Sequence, residues 1–119
     1  MTHVGVDIVS VARLEAALAR SARLADRLFT AREQRYAAGR PHPMESLAVR
    51  FAAKEATFKA LGRGWPRLSW LEVEVVKGAT GRPELALHGR AAALAGDAHL
   101  SVSLAHDGGL AIATVIVDA

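Results

Sequence analysis

The chain contains no cysteine. That absence excludes disulfide bridges, thiolate zinc centres and cysteine nucleophiles, and it fits a reducing compartment such as the cytoplasm. Aromatic residues make up only 5% of the 119 residues, thin for the stacking platforms on which single-stranded nucleic acids lie. No apolar run reaches the roughly 20 residues of a membrane-spanning helix. The chain passes straight into Val4-Gly5-Val6-Asp7-Ile8-Val9 without a basic segment or cleavage site. A cytoplasmic protein with no membrane partner is the expectation. The five histidines, His3, His42, His88, His99 and His106, lack HExxH spacing, so a histidine zinc site is not expected. There is also no P-loop and no GxGxxG opening a helix, so any phosphate must be held by side chains. Lysine is scarce, three against twelve arginines.

What is present suffices for one domain spanning residues 1–119, because 51% hydrophobic residues at this length build a sizeable core. The 15 basic against 12 acidic side chains give a net charge of +3 and lean toward an anionic partner, whose class charge alone does not choose.

Residues 3–9 read as a strand, with Ser10 capping a helix whose inward face carries Leu14, Ala17 and Leu18, extending to Leu24 and Leu28 if unbroken. Thr30 and Glu33 form a capping box for a short helix ended by Gly39. A long helix then runs from about Met44 to Gly62, followed by a loop to Pro66 and an alternating strand from Leu68 to Val76. The turn Lys77–Pro83 leads to a strand over 84–88, a short helix over 89–95 and two terminal strands, 99–105 and 110–117. His106-Asp107-Gly108-Gly109 between them signals a hairpin. The pattern predicts an α+β fold, with an antiparallel sheet packed on a long central helix.

The long helix carries the strongest chemical signal. Leu47, Phe51, Phe58 and Leu61 make an apolar stripe from whose middle Lys54 projects, while Glu55 and Lys59 flank its edge. A buried ammonium needs a partner. Arg50 and Lys54 are like charges at i,i+4, unfavourable unless something anionic lies between them. Two of the three lysines fall here, and lysine is a compact point charge suited to single phosphate oxygens. The competing reading is a helix whose charged heads snorkel past an apolar rim.

Asp7 sits within a valine-isoleucine run, on the strand face opposite Val4, Val6 and Ile8. It either receives amide hydrogen bonds at the strand-helix turn or, with Glu55, holds Mg²⁺, which needs only one or two protein carboxylates beside water and phosphate oxygens. His106 and Arg82, in Gly81-Arg82-Pro83, read as phosphate contacts or as solvated turn residues. Ser103, His106 and Asp107 do not make a convincing triad, since neighbours on a hairpin point apart. If the first helix is continuous, Arg13, Arg20, Arg23 and Arg27 line up within about eighty degrees, a stripe suited to an acidic protein or to solvent.

Taken together, Gly5-Val6-Asp7-Ile8, Phe29-Thr30 with Glu33, the run Arg50 to Gly62, Gly81-Arg82-Pro83 and Ser103-Leu104-Ala105-His106 resemble the holo-acyl-carrier-protein synthase family of phosphopantetheinyl transferases. The resemblance implies the transferase α+β fold, a homotrimer with active sites between subunits, and Mg²⁺-dependent transfer of 4′-phosphopantetheine from coenzyme A to a serine of apo acyl carrier protein, releasing adenosine 3′,5′-bisphosphate. It implies Asp7 and Glu55 as metal ligands and, with Lys59, as the catalytic set. Arg50, Lys54, Lys59, Arg82 and His106 correspond to coenzyme A contacts, and Arg13, Arg20 and Arg23 to the surface receiving the carrier. For the serine proton the resemblance leaves open a magnesium-bound water, Glu55 and Asp107. Ala105, Arg63 and Arg40-Pro41-His42-Pro43 depart from the family pattern, and the first puts a hydrogen bond near the nucleotide in question. The alternatives are a non-catalytic basic module binding nucleic acid or an acidic protein, and another Mg²⁺-dependent phosphate enzyme on a similar fold.

Overall fold

A computed structural model describes all 119 residues. In chain order the elements are β1 (Thr2–Ser10), α1 (Val11–Arg20), α2 (Leu24–Leu28), α3 (Ala31–Ala38), α4 (Pro43–Leu61), a 3₁₀ turn (Trp70–Glu72), β2 (Val73–Lys77), β3 (Pro83–Leu87), α5 (Gly89–Ala95), β4 (His99–Asp107) and β5 (Leu110–Asp118). The strands form two antiparallel sheets, one of three strands ordered β1-β5-β4 and one a β2-β3 hairpin.

The long helix α4 lies against the inner face of the larger sheet because both surfaces are small. Ala52, Ala53, Ala56 and Ala60 meet Ala113, Val115 and Val117 in one buried cluster. At β1 the approach is closer still: a Cβ on Gly5 would run into the carbonyl of Ala56, so only glycine lets the strand close on the helix. Side chains alternate along a strand, so Asp7, two residues on, points to the same side as Gly5, toward α4. Val4, Val6 and Ile8 point away and are 65%, 54% and 59% exposed. A second cluster, around Phe29, Leu14, Leu28, Ala48 and Val49, packs α1 and α2 against α4 and reaches Ala111 of β5.

Local signals explain most boundaries. Ser10 caps α1 by accepting from the Arg13 amide, Thr30 and Glu33 form the expected capping box, and Gly62 ends α4 in the left-handed conformation at φ 79°. Pro43 occupies the first turn of α4, where its missing N–H is harmless.

Three expectations are corrected. The first helix is not continuous: Ser21 adopts an extended conformation, and α1 and α2 are separate, so the four arginines do not form one helical stripe. The alternation at residues 68–72 does not continue the strand. Ser69 accepts from the Leu71 amide while Glu72 reaches back to the Ser69 amide, and this capping box winds residues 70–72 into a 3₁₀ turn. At the terminal hairpin the turn is only Gly108-Gly109, with φ of 56° and 80°, so His106 and Asp107 belong to β4.

Candidate active site

The close packing of β1 on α4 brings two acids to one cavity. Asp7 and Glu55 both line a space of about 640 Å³ together with Arg13, Phe51 and Trp70, and most of the remaining wall is aliphatic, including Leu14 and Leu28. Each carboxylate offers one oxygen to a protein donor. Lys59 pairs with Asp7 Oδ1 at 3.1 Å and also donates to the Val6 carbonyl at 2.9 Å. The Trp70 indole N–H donates to Glu55 Oε1 at 3.2 Å. Asp7 Oδ2 and Glu55 Oε2 are left without a protein partner.

This donor set fits magnesium: two hard carboxylate oxygens facing a roomy, open cavity meet the needs of an ion that keeps most of its ligands as water and phosphate oxygens. The ammonium of Lys59 already places a cation at Asp7, and the Lys59 side chain is 56% exposed.

Arg50 and His106 meet in a second, smaller cavity of about 250 Å³, whose other basic residues are Arg40 and His42. The Arg50 side chain is buried, lies with its guanidinium carbon 4.3 Å from the Tyr36 ring centre, and donates through Nη1 to the Ser46 carbonyl and hydroxyl. Its Nε is buried without a hydrogen-bond partner. Burial pulls the guanidinium below its ordinary pKa, opposed by Tyr36 and Glu33. His106 Nδ1 faces Glu45 at 3.7 Å.

Lys54 is the clear correction. Rather than facing a phosphate, its ammonium is completely buried, ion-paired to Glu33 at 2.8 Å and donating to the carbonyls of Trp70 and Val73. Three partners use its three donors, so none remains for a ligand. Burial lowers its pKa and Glu33 pushes back. Glu33 in turn accepts from the amides of Thr30 at 2.9 Å and Val75 at 2.8 Å, so one carboxylate ties α3, α4 and β2 together.

The other expected residues are dispersed within one chain. Arg82 lines a third cavity, of about 450 Å³, with His99 and Ser101, while its neighbours Gly81 and Pro83 border Arg50. Arg20 ends α1 and Arg23 precedes α2, both exposed. Asp107 is exposed at the end of β4. Two residues of the site were not anticipated. The indole of Trp70 had no sequence signal as a partner for Glu55. Glu33 was legible as a cap, but nothing local linked it to Lys54, 21 positions away.

Residues 3–115 match the family model of the 4′-phosphopantetheinyl transferase superfamily. The holo-[acyl-carrier-protein] synthase of Geobacter metallireducens is 48% identical, the alignment covering 96% of this chain and 94% of the relative. Among solved structures, the Chronobacterium ammoniagenes ACPS–CoA complex superposes with a TM-score of 0.89 at 33% identity, covering 99% of this chain and 97% of the other. The Helicobacter pylori holo-[acyl-carrier-protein] synthase in complex with coenzyme A gives 0.84 at 33% identity, with coverages of 97% and 99%. The chain belongs to the 4′-phosphopantetheinyl transferase superfamily. Within it, the enzyme type is that of the holo-[acyl-carrier-protein] synthases, which removes the non-catalytic basic module from consideration.

Proposed function

We propose that this chain transfers the 4′-phosphopantetheine arm of coenzyme A to a serine hydroxyl of apo acyl carrier protein, in a Mg²⁺-dependent reaction that releases adenosine 3′,5′-bisphosphate. The observation that carries the reading is the convergence of Asp7 and Glu55 on one cavity, each with a free carboxylate oxygen. Asp7 and Glu55 would hold the metal, whose contribution when bound is to neutralise charge on the diphosphate.

The chain's own residues supply position and further charge. Lys59, anchored on Asp7, extends its ammonium to the phosphate that departs. Arg50 and His106, which line the smaller cavity together, hold a more distant phosphate of coenzyme A. The serine oxygen forms the new bond to phosphorus on the pantetheine side, and the bond to the leaving phosphate breaks. The serine proton leaves to a base, for which the chain offers Glu55 in the cavity it shares with Asp7 and Asp107 at the exposed end of β4. Arg13 at the rim, with exposed Arg20 and Arg23, suits the acidic face of a carrier.

The working form in this reading is a homotrimer in the cytoplasm, with active sites between subunits. Two observations favour the assembly. Within one chain Arg50 and His106 line one cavity, Arg82 another, and the acids Asp7 and Glu55 a third. The outer face of the larger sheet also leaves Val4, Val6, Ile8 and Ile116 exposed, an apolar surface that another chain would cover.

Mass spectrometry of an apo carrier protein incubated with this chain, coenzyme A and Mg²⁺ is the test. The expected result is a serine bearing one phosphopantetheine, lost when a chelator is added; an unmodified carrier, or modification indifferent to the chelator, would overturn the reading.

A further inference from the structure

Resting on the metal-holding role proposed for Glu55, we infer that Trp70 is a positioning residue, whose indole N–H fixes the side chain of Glu55 so that its second oxygen is presented to the divalent cation.

A glutamate has three rotatable side-chain bonds, and Glu55 sits on the edge of α4 where nothing else restrains its head. The 3.2 Å bond from Trp70 Nε1 to Oε1 removes that freedom and assigns the two oxygens different tasks. The donor is uncharged. An arginine or lysine in its place would compete with the metal for the carboxylate's charge, whereas an indole orients it while leaving the negative charge for the ion.

The indole is itself held from both ends. Its ring stacks on Trp65 with centroids 4.6 Å apart and planes inclined by 16°, and Phe51 and Phe58 lie 6.3 and 6.4 Å away. Its backbone carbonyl accepts from the buried Lys54 ammonium at 2.9 Å, and Lys54 is locked to Glu33. The fully buried pair at residues 33 and 54 therefore acts on the site through the 3₁₀ turn that carries Trp70. Lys54, adjacent in sequence to Glu55, serves catalysis by position rather than by touching substrate. At Asp7 one oxygen is likewise occupied, but by the charged donor Lys59, so the neutral indole sets Glu55 apart as the carboxylate that keeps its full charge for the ion.

The test substitutes Trp70→Phe, which keeps an aromatic ring and removes the N–H. Mn²⁺ serves as the probe ion, and its binding is read by electron paramagnetic resonance. Loss of an outer hydrogen bond to a metal ligand weakens affinity by about 10- to 100-fold. Trp70→Phe should fall within that range, and the Mg²⁺ concentration giving half-maximal activity should rise in step while kcat at saturating Mg²⁺ changes little. A second measurement leaves Trp70 itself in place. The chain has two tryptophans, so a ¹⁵N spectrum carries two indole resonances, assigned with Trp65→Phe. Mn²⁺ should broaden the Trp70 resonance in the wild-type enzyme and not in Glu55→Gln. If Trp70→Phe binds Mn²⁺ as tightly as wild type, or if the Trp70 indole is indifferent to Mn²⁺ in a wild-type protein that binds it, the inference fails while the proposed function stands. If wild type binds no Mn²⁺ with or without coenzyme A, the metal role of Glu55 fails and the inference with it.

Discussion

Two charged residues that are neighbours in the chain have opposite fates. Lys54 is sealed inside the protein and Glu55 faces a cavity, although one helical step separates them. Glu55→Gln keeps the shape and the possibility of a bond to Trp70 but removes the charge. It is expected to lower carrier modification below detection at any Mg²⁺ concentration while leaving thermal unfolding within a few degrees of wild type, measured by circular dichroism. Lys54 makes the opposite prediction. Lys54→Ala strands the Glu33 carboxylate in the interior and should destabilise the fold by about 3 kcal/mol in urea unfolding, the low end for breaking a buried pair because two backbone amides still hold Glu33. In a Glu33→Gln, Lys54→Met double variant no buried charge is left unpaired, so part of that loss should return, less than all because the glutamine amide has one acceptor oxygen for the two backbone amides that Glu33 serves. If the KM for coenzyme A in the double variant stays near wild type, Lys54 is no phosphate ligand; a large rise would restore it to that role. The sequence made the need for a partner visible, since an ammonium in an apolar stripe cannot stand alone, but the partner came from a helix cap far along the chain. Only folding brings residues 33 and 54 within 2.8 Å.

At the scale of elements, what was legible depended on whether the signal was local. The caps at Ser10, Thr30 and Gly62 are decided within four residues and were readable as such. The 3₁₀ turn was hidden because Leu71, Val73 and Val75 alternate with Glu72 and Glu74 as a strand does, and that alternation outweighed the Ser69–Glu72 spacing. Glu72 now holds three groups: the Ser69 amide, the Arg90 amide and the Arg90 guanidinium. The Ser69 amide first, and then Arg90, hold its carboxyl below the ordinary value of 4.5. For a carboxylate with a depressed folded pKa, the unfolded chain takes up the proton first, so its stabilisation is complete above about 4.5 and is lost as pH falls through the folded value. Glu72→Gln should therefore flatten the fall of stability with acid below pH 4.5, followed by urea midpoints across that range. The break at Ser21 matters for docking in the same local way. Arg13 and Arg20 share a face of α1 while Arg23 stands outside it, so Arg20→Glu should raise the KM for the carrier several-fold and leave that for coenzyme A unchanged, since one reversed charge at a docking surface acts on encounter.

For the whole molecule, the exposed valines and isoleucines of β1 and the scatter of basic residues over three cavities ask for the same remedy, a neighbouring copy. Val6→Lys would set a charge in the middle of that apolar face. Light scattering should then give a species near the 12.6 kDa chain mass in place of three times that value, with activity lost although Asp7, Glu55 and Lys59 are untouched. Sharing of a site between chains makes a sharper demand. If Arg82 of one subunit serves the acids of the next, Glu55→Gln and Arg82→Glu proteins are each inactive alone. In trimers reassembled from equal amounts of the two, random placement gives about a quarter of the interfaces an intact Glu55 facing an intact Arg82. Activity should rise to about that fraction of wild type on mixing. If every site instead lay within one chain, each subunit would keep its own lesion and mixing would restore nothing, so this complementation separates a trimer that merely covers apolar surface from one that builds its active sites across the interface.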